Sequence, residues 1–407
     1  MDVVRAATAL VGDLTHSHLI DLGIDGAAVN PHGFTGSSRL VTKWSMAPRS
    51  ATLTGPVNRQ RLSRRMPAHH RVRLFVQALL AGAVLACAIA RGATPLRAAE
   101  GTDAYIALLD QYQRGQTEEA VQALAAHETD WVTKAVDGVV RDARGWTPRR
   151  ARAAVLLHTD AVVDGWVPPS RVATHLDAAR RIADLQKGTV VGRDFRRDWL
   201  LVVTWYLQSE ADLASARAWV DLLLADYPTD GDALVTAGAY FEAAAWNNGR
   251  PEYLDRAVSI YRRTPAGSSA IDQARARLGR TWLALHRPAD ALRTLEPVRA
   301  GSGDAAWRYL AWLFSAAADA SSRHYAAAAG AYEQAAALLP SCQTPLVGLA
   351  AVRRAEGRTD EAAALVERLT TMDTSHCDDP WWHYRFGQTP ERRARLLLSM
   401  RATVTRP

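Results

Sequence analysis

Five side chains of the kinds that hold metal ions fall within eight positions near the C-terminus: His376, Cys377, Asp378, Asp379 and His383. Structural zinc needs four N or S ligands at characteristic short spacings, and this cluster offers one cysteine in no such pattern, so it is not read as a metal site. His158, Asp160 and Asp164 lie close enough on one helical stretch to orient a general base. General-base chemistry also needs a nucleophile or substrate group within hydrogen-bond reach, and the sequence shows neither beside them, so His158 reads first as a satisfied histidine on a helix surface. The chain has no glycine-rich phosphate loop, HExxH, nucleophile elbow or CxxC. These residues point to a non-catalytic protein without metal or cofactor. The competing reading is an enzyme of unrecognised type with its site in residues 130–200, where His158, Asp160, Asp164, Trp166, His175 and Asp177 gather.

The net charge of +7 and the alkaline pI invite a nucleic-acid reading, but the location of the charge removes it. Residues 1–100 carry 12 Lys and Arg against 5 Asp and Glu, which accounts for the whole excess and leaves residues 101–407 neutral. A neutral body offers little field for neutralising phosphates, so no nucleic-acid partner is expected.

Leu74 to Ala90, LFVQALLAGAVLACAIA, is an uncharged run of 17 residues preceded by Arg64, Arg65, Arg71 and Arg73. At 1.5 Å per residue it would cover about 25 Å as a helix, less than a typical hydrocarbon core, and it ends in a small-x-small pattern. A signal peptide over 66–90 cleaved after Ala90 is the first reading, and an uncleaved anchor is the alternative. Val84-Leu85-Ala86-Cys87 resembles a bacterial lipobox, which would make Cys87 a lipidation site and tether the protein to a membrane. On each route the rest of the chain is exported, to the periplasm or the envelope. Residues 1–65 show no sustained periodicity, and Met66 opens an ordinary signal n-region; 1–65 are therefore read as a disordered tail or a mis-assigned extension. If the segment is removed, Cys342 and Cys377 remain in an oxidising compartment and could pair, provided the C-terminal loop folds back.

Candidate functional groups need elements to hold them, and from Asp103 onward those elements read as helix after helix, with Gly, Pro and Asn clusters between stretches of 12 to 16 residues. Ala257, Ala291, Ala328 and Ala362 recur at intervals of 34, 37 and 34 residues. A period near 34 marks a stacked helix-turn-helix solenoid. Around Ala328 stand Trp312, Ala316, Tyr332, Ala335 and Pro340; one period later stand Leu346, Leu349, Ala350, Gly357, Ala362, Val366 and Leu369; one period earlier stand Leu278, Gly279, Trp282, Leu295 and Val298. Small residues at two positions per repeat let paired helices approach, and bulky ones fill the space against neighbours.

This pattern resembles the tetratricopeptide repeat family in an exported bacterial form. The resemblance implies an all-α fold, a right-handed superhelix of helix-turn-helix repeats, over 201–375. Divergent helical hairpins would precede it in 101–200, and a C-terminal cap with a helix from Pro390 to Met400 would follow in 376–407. Asp379-Pro380-Trp381-Trp382-His383-Tyr384 breaks the repeat; it reads as core filling at the last repeat, with an exposed aromatic binding patch as the alternative. The resemblance further implies a concave groove, built from the first helix of each pair, that binds a protein or peptide. Carrying over the family's groove positions selects Gln273, Arg280, Thr344 and Arg354, of which the two arginines suit a carboxylate. The expected role is an interaction scaffold or adaptor outside the cytoplasm; a lipid-anchored envelope assembly factor is the variant if Cys87 is acylated.

Overall fold

The computed structural model describes residues 101–142, 146–373, 378–384, 388 and 390–405. The N-terminal extension, the Leu74–Ala90 segment, Cys87, His376 and Cys377 lie outside the described residues, and so do the expectations attached to them.

Seventeen α-helices and no strands make up the described residues. The helices are α1 (Thr102–Gln113), α2 (Thr117–Ala125), α3 (Thr129–Asp142), α4 (Pro148–Val163), α5 (Pro169–Ala183), α6 (Arg193–Ser209), α7 (Leu213–Asp226), α8 (Gly231–Asn248) and α9 (Glu252–Tyr261). They continue with α10 (Ile271–Ala284), α11 (Pro288–Gly301), α12 (Ala305–Ser321), α13 (Tyr325–Leu338), α14 (Thr344–Ala355), α15 (Thr359–Thr371), α16 (Pro380–Tyr384) and α17 (Pro390–Ala402). Neighbouring helices pack pairwise in succession, so the body is an all-α helical repeat solenoid, as the periodicity predicts. Local chemistry starts many of them. Thr147, Asp212, Asp230 and Asp304 each accept a backbone N–H from the first turn of the helix that follows, and Pro148 fits the first turn of α4, where its missing N–H is no loss.

The repeat is written into the backbone as well as the side chains. Seven turns, α1/α2, α4/α5, α6/α7, α8/α9, α10/α11, α12/α13 and α14/α15, each contain a left-handed residue: Gly115, Gly165, Ala211, Gly249, His286, Arg323 and Gly357. Each first helix ends in the same closure, in which the N–H just after that residue reaches back five positions: Arg287 to Trp282 at 2.9 Å, His324 to Asp319 at 2.8 Å and Arg358 to Arg353 at 2.9 Å. The first members of the pairs, α1, α4, α6, α8, α10, α12 and α14, touch one another in succession and form one row, here called the A row. Their partners, here called the second row, each pack on their own first helix, and α3 packs on α5. The core lies between the rows. Gly279 allows one of its closest approaches: a Cβ there would stand 2.5 Å from the Leu295 side chain of the partner helix. Gly238 and Gly348 make similar room for the rings of Tyr261 and Tyr332.

The expected C-terminal helix is present as α17, but its packing partners are α6 and α4, not the last pair. The described residues between Asp378 and Thr405 meet the A row in reverse order, from α14 at Asp379 to α4 at Arg401. Periodicity within the repeats carries no information about this return path. No helix among the described residues is long and apolar enough to cross a membrane.

Candidate functional site: the A-row face

Asp379 starts the returning segment. It is 2% exposed and accepts hydrogen bonds from the Thr344 hydroxyl on α14 (2.6 Å) and the Tyr309 hydroxyl on α12 (3.0 Å), while its other role is to cap α16 through the Trp381 N–H (2.9 Å). The pressure on Tyr309 is one-sided: burial, then the Asp379 charge, push its ionisation far above the usual phenol range, so it remains a donor. The short helix α16 then inserts two aromatic rings. Trp381 and Tyr384 stack on each other at 5.6 Å between centroids and both meet Phe314 of α12 edge-on.

Tyr384 also closes a buried ionic centre. Its hydroxyl donates to Glu242 Oε1 of α8 at 2.6 Å, Tyr261 of α9 donates to Oε2 at 2.9 Å, and Arg277 of α10 holds the same Oε2 at 3.2 Å. Arg277 donates a second hydrogen bond to the Tyr384 carbonyl (2.7 Å) and lies over the Tyr384 ring at 4.3 Å. Both members of the ion pair are sealed, with side-chain exposures of 3% and 1%. Burial, then the Glu242 charge, push both tyrosines well above their ordinary ionisation, which keeps their protons available to the carboxylate.

Beyond this centre, guanidinium groups meet the row at successive helices. Gln388 donates to Gln273 of α10 at 3.0 Å; Arg392 reaches Asp232 of α8 at 2.7 Å and lies over the Trp205 ring; Arg393 donates to Ser209 Oγ of α6 at 2.7 Å. Arg401 spans two carboxylates at the C-terminal end of α4, with Nε 2.9 Å from Asp160 and Nη2 2.7 Å from Asp164, the residue that caps the helix. Leu397, Met400 and Val404 are buried beneath these contacts, whereas Leu398 is 59% exposed on the opposite face of α17. A cavity of about 490 Å³ remains beside the segment, bounded by Gln273, Trp307, Tyr384, Gln388 and Arg392 among others.

Three of the four groove positions selected from the sequence lie in contact with this segment. Gln273 is 2% exposed and accepts from Gln388 and Arg392; Thr344 donates to Asp379; Arg280, equally buried, stacks over Trp246 at 4.8 Å and lies 6.0 Å from the Trp381 ring. Arg354 is exposed on α14. The aromatic cluster at 381–384 divides between its two readings: Trp381 and Tyr384 fill space, against α12 rather than the last repeat, while Trp382 is 57% exposed. Sequence reasoning missed Glu242, Arg277 and Asp232. A charged pair facing inward on successive repeats was the available signal, and it becomes specific only once the returning segment is in place.

The residues of the competing enzymatic reading converge in part. His158 on α4 and His175 on α5 approach Nδ1 to Nδ1 at 3.2 Å, and the Tyr105 hydroxyl lies 3.0 Å from His158 Nε2. Both histidines are sealed, so His158 is a core residue and not the helix-surface histidine its sequence context suggests, because α1 and α5 close over it; both its ring nitrogens are engaged, which leaves it none to offer a substrate. Burial, then the His175 charge, hold His158 well below its usual range; burial, then Arg171, bring His175 down to about 4. Asp160, two residues further along α4, accepts from Tyr112 at 2.5 Å; burial raises it to about 6 against the opposing pull of Arg401. Asp164 meets Arg401, Asp177 pairs with Arg180 at the surface, and Trp166 is exposed. Cys342 is buried, and its proposed partner lies outside the described residues. Among the described residues no three His, Cys, Asp or Glu side chains gather as a metal site. No family description matches this sequence, and no curated protein is significantly similar to it, so the site is read from its own geometry.

Proposed function

We propose that the protein is a non-catalytic scaffold that acts outside the cytoplasm and holds a protein or peptide along the A row of its solenoid. One observation carries this reading: the A row already holds part of its own chain, the described residues between 378 and 405, through side chains contributed by six successive first helices, α14, α12, α10, α8, α6 and α4. A surface that seats a peptide by aromatic insertion, backbone capture and paired guanidinium contacts has the chemistry of a peptide-binding face. The resemblance to tetratricopeptide repeats supports the same face, since that family binds with the first helix of each pair. The engaged nitrogens of His158 favour the non-catalytic reading over an enzyme in 130–200. Export rests on the Leu74–Ala90 segment.

Photo-crosslinking in intact producing cells tests this. A crosslinking residue at Arg354 of the A-row helix α14 or at Trp382 of α16, both exposed, should yield a discrete higher-mass adduct, while the same residue at Asp221 or Asp360 on the second row should not. Equal adducts from both rows, or none from either, would remove the A row as the binding face. Fractionation of the same cells checks export: recovery of the protein from the cytoplasm alone overturns that part.

A further inference from the structure

The two ends of the returning segment are held by different chemistry. From Asp379 to Tyr384 the anchors are buried: the capped Asp379, the Trp381, Tyr384 and Phe314 rings, and the Glu242 and Arg277 centre. From Arg392 to Arg401 the ionic anchors are guanidinium groups that reach water, Arg392 at 36% exposure against Asp232 and Arg401 at 24% against the exposed Asp164, with the buried Asp160 behind it. Ion pairs of this partly exposed kind are weaker and screened by salt. Fewer buried apolar side chains back them, namely Leu397, Met400 and Val404.

We propose, building on the peptide-binding reading above, that α17 is a displaceable internal ligand and that the partner it yields to is an amphipathic helix carrying arginines spaced eight to nine residues apart. The spacing is that of Arg392 and Arg393 from Arg401, which sets guanidinium groups at the same time on Asp232 of α8 and on Asp160 and Asp164 at the C-terminal end of α4. The carboxylates recognise guanidinium, the Trp205 and Tyr206 rings face Arg392 and Arg393, and the apolar side of the helix takes the places of Leu397 and Met400. The aromatic anchor at 379–384 stays in place during the exchange, so the segment is released from its far end.

A fluorescent peptide with the sequence of residues 389–407 serves as the probe, with the full chain as the receptor. The wild-type chain should bind it weakly, because α17 competes at very high effective concentration. The chain bearing Arg392→Ala, Arg393→Ala and Arg401→Ala should bind it at least tenfold more tightly. Adding Asp160→Asn, Asp164→Asn and Asp232→Asn to that chain should remove the gain, and a probe with its arginines changed to glutamine should not bind. A folded triple variant that fails to bind the probe, or binds it equally well without the three carboxylates, overturns the proposal. If the triple variant does not fold, hydrogen exchange on the wild-type chain decides: amides of 394–402 should exchange at least tenfold faster than those of α12, and faster still when salt is raised. Equal, salt-independent protection of α17 and α12 also overturns it. Crosslinking from Arg354 and Trp382 is independent of these readings, so adducts there alongside a negative peptide result would reject the arginine-helix exchange and leave the scaffold reading standing.

Discussion

The centre at Glu242 and the cluster at Asp160 are both buried carboxylates that receive the returning segment, and they solve the same problem differently. Glu242 has a full set of partners in a sealed space: Arg277 as countercharge, with the Tyr261 and Tyr384 hydroxyls as donors. Asp160 has Tyr112 within the row, but its countercharge, Arg401, arrives from a residue 241 positions later, and burial lifts its proton affinity to about pH 6. The first carboxylate is held by the body of the solenoid with the segment as a lid. The second depends on the segment for its charge balance. Burial makes an ion pair costly to break, and which side supplies the countercharge decides what breaks with it.

The largest expected effect follows at the first site. Arg277→Ala leaves Glu242 sealed without a cation and should cost about 3–5 kcal/mol, read as a large fall in the denaturation midpoint. A loss below about 1 kcal/mol would mean that water reaches Glu242 and that the two sites are not different in kind.

Acid should act mainly beside Asp160. His158 and His175 are held neutral in the fold but protonate near 6.5 when unfolded, so the unfolded chain binds more protons between pH 6.5 and about 4, and stability drains as pH falls through that window. Asp160 runs the other way: the fold takes up its proton near 6, before the unfolded chain does near 3.8, which offsets part of the loss. His175 alone accounts for roughly 3 kcal/mol at full effect, at 1.36 kcal/mol per unit. Thermal melts from pH 7.5 to 4.5 check this, and His175→Gln should flatten the profile markedly; an unchanged slope would show that His175 titrates normally.

Arg401→Ala removes the countercharge of Asp160 and should cost about 2 kcal/mol at pH 7.5. Because the orphaned carboxylate is relieved once it is protonated, that cost should shrink as the pH is taken from 7.5 to 5.5. A pH-independent cost would mean that Arg401 acts through packing alone.

The smallest effect has the opposite sign and serves as a control remote from both sites. Arg323 adopts a left-handed φ of 62° at a turn where four of the seven repeats use glycine. Arg323→Gly should therefore stabilise by up to about 1 kcal/mol and leave the pH profile unchanged. Destabilisation there would point to a contact of Arg323 that outweighs its backbone strain.

How much of this was legible beforehand differs sharply between local and distant features. Gly279 and Gly357 could be placed from the sequence because each answers a local demand, the close approach to Leu295 and the left-handed turn after α14. Ala211, His286 and Arg323 occupy the same turn without the composition that would announce it. Gln273 and Thr344 were selectable by repeat register, yet nothing in the register says that Gln388 and Asp379 face them. The His158 and Asp160 stretch looked like scattered polar positions because Tyr105, Tyr112, His175 and Arg401, which give it meaning, come from α1, α5 and α17.

The sequence by itself determined the helices, their pairing into hairpins and the small positions at which paired helices meet, because each of these rests on residues within about 40 positions of one another and repeats along the chain. The tertiary structure alone decided that the described residues between 378 and 405 return along the A row, that Arg277 and Glu242 become a sealed pair under Tyr384, and that α17 rests on α4 and α6. The segment's contacts with Arg277, Glu242, Ser209 and Asp160 join residues 107 to 241 positions apart, each occurs once, and none is reinforced by a period, so only the stacked repeats bring the partners within reach.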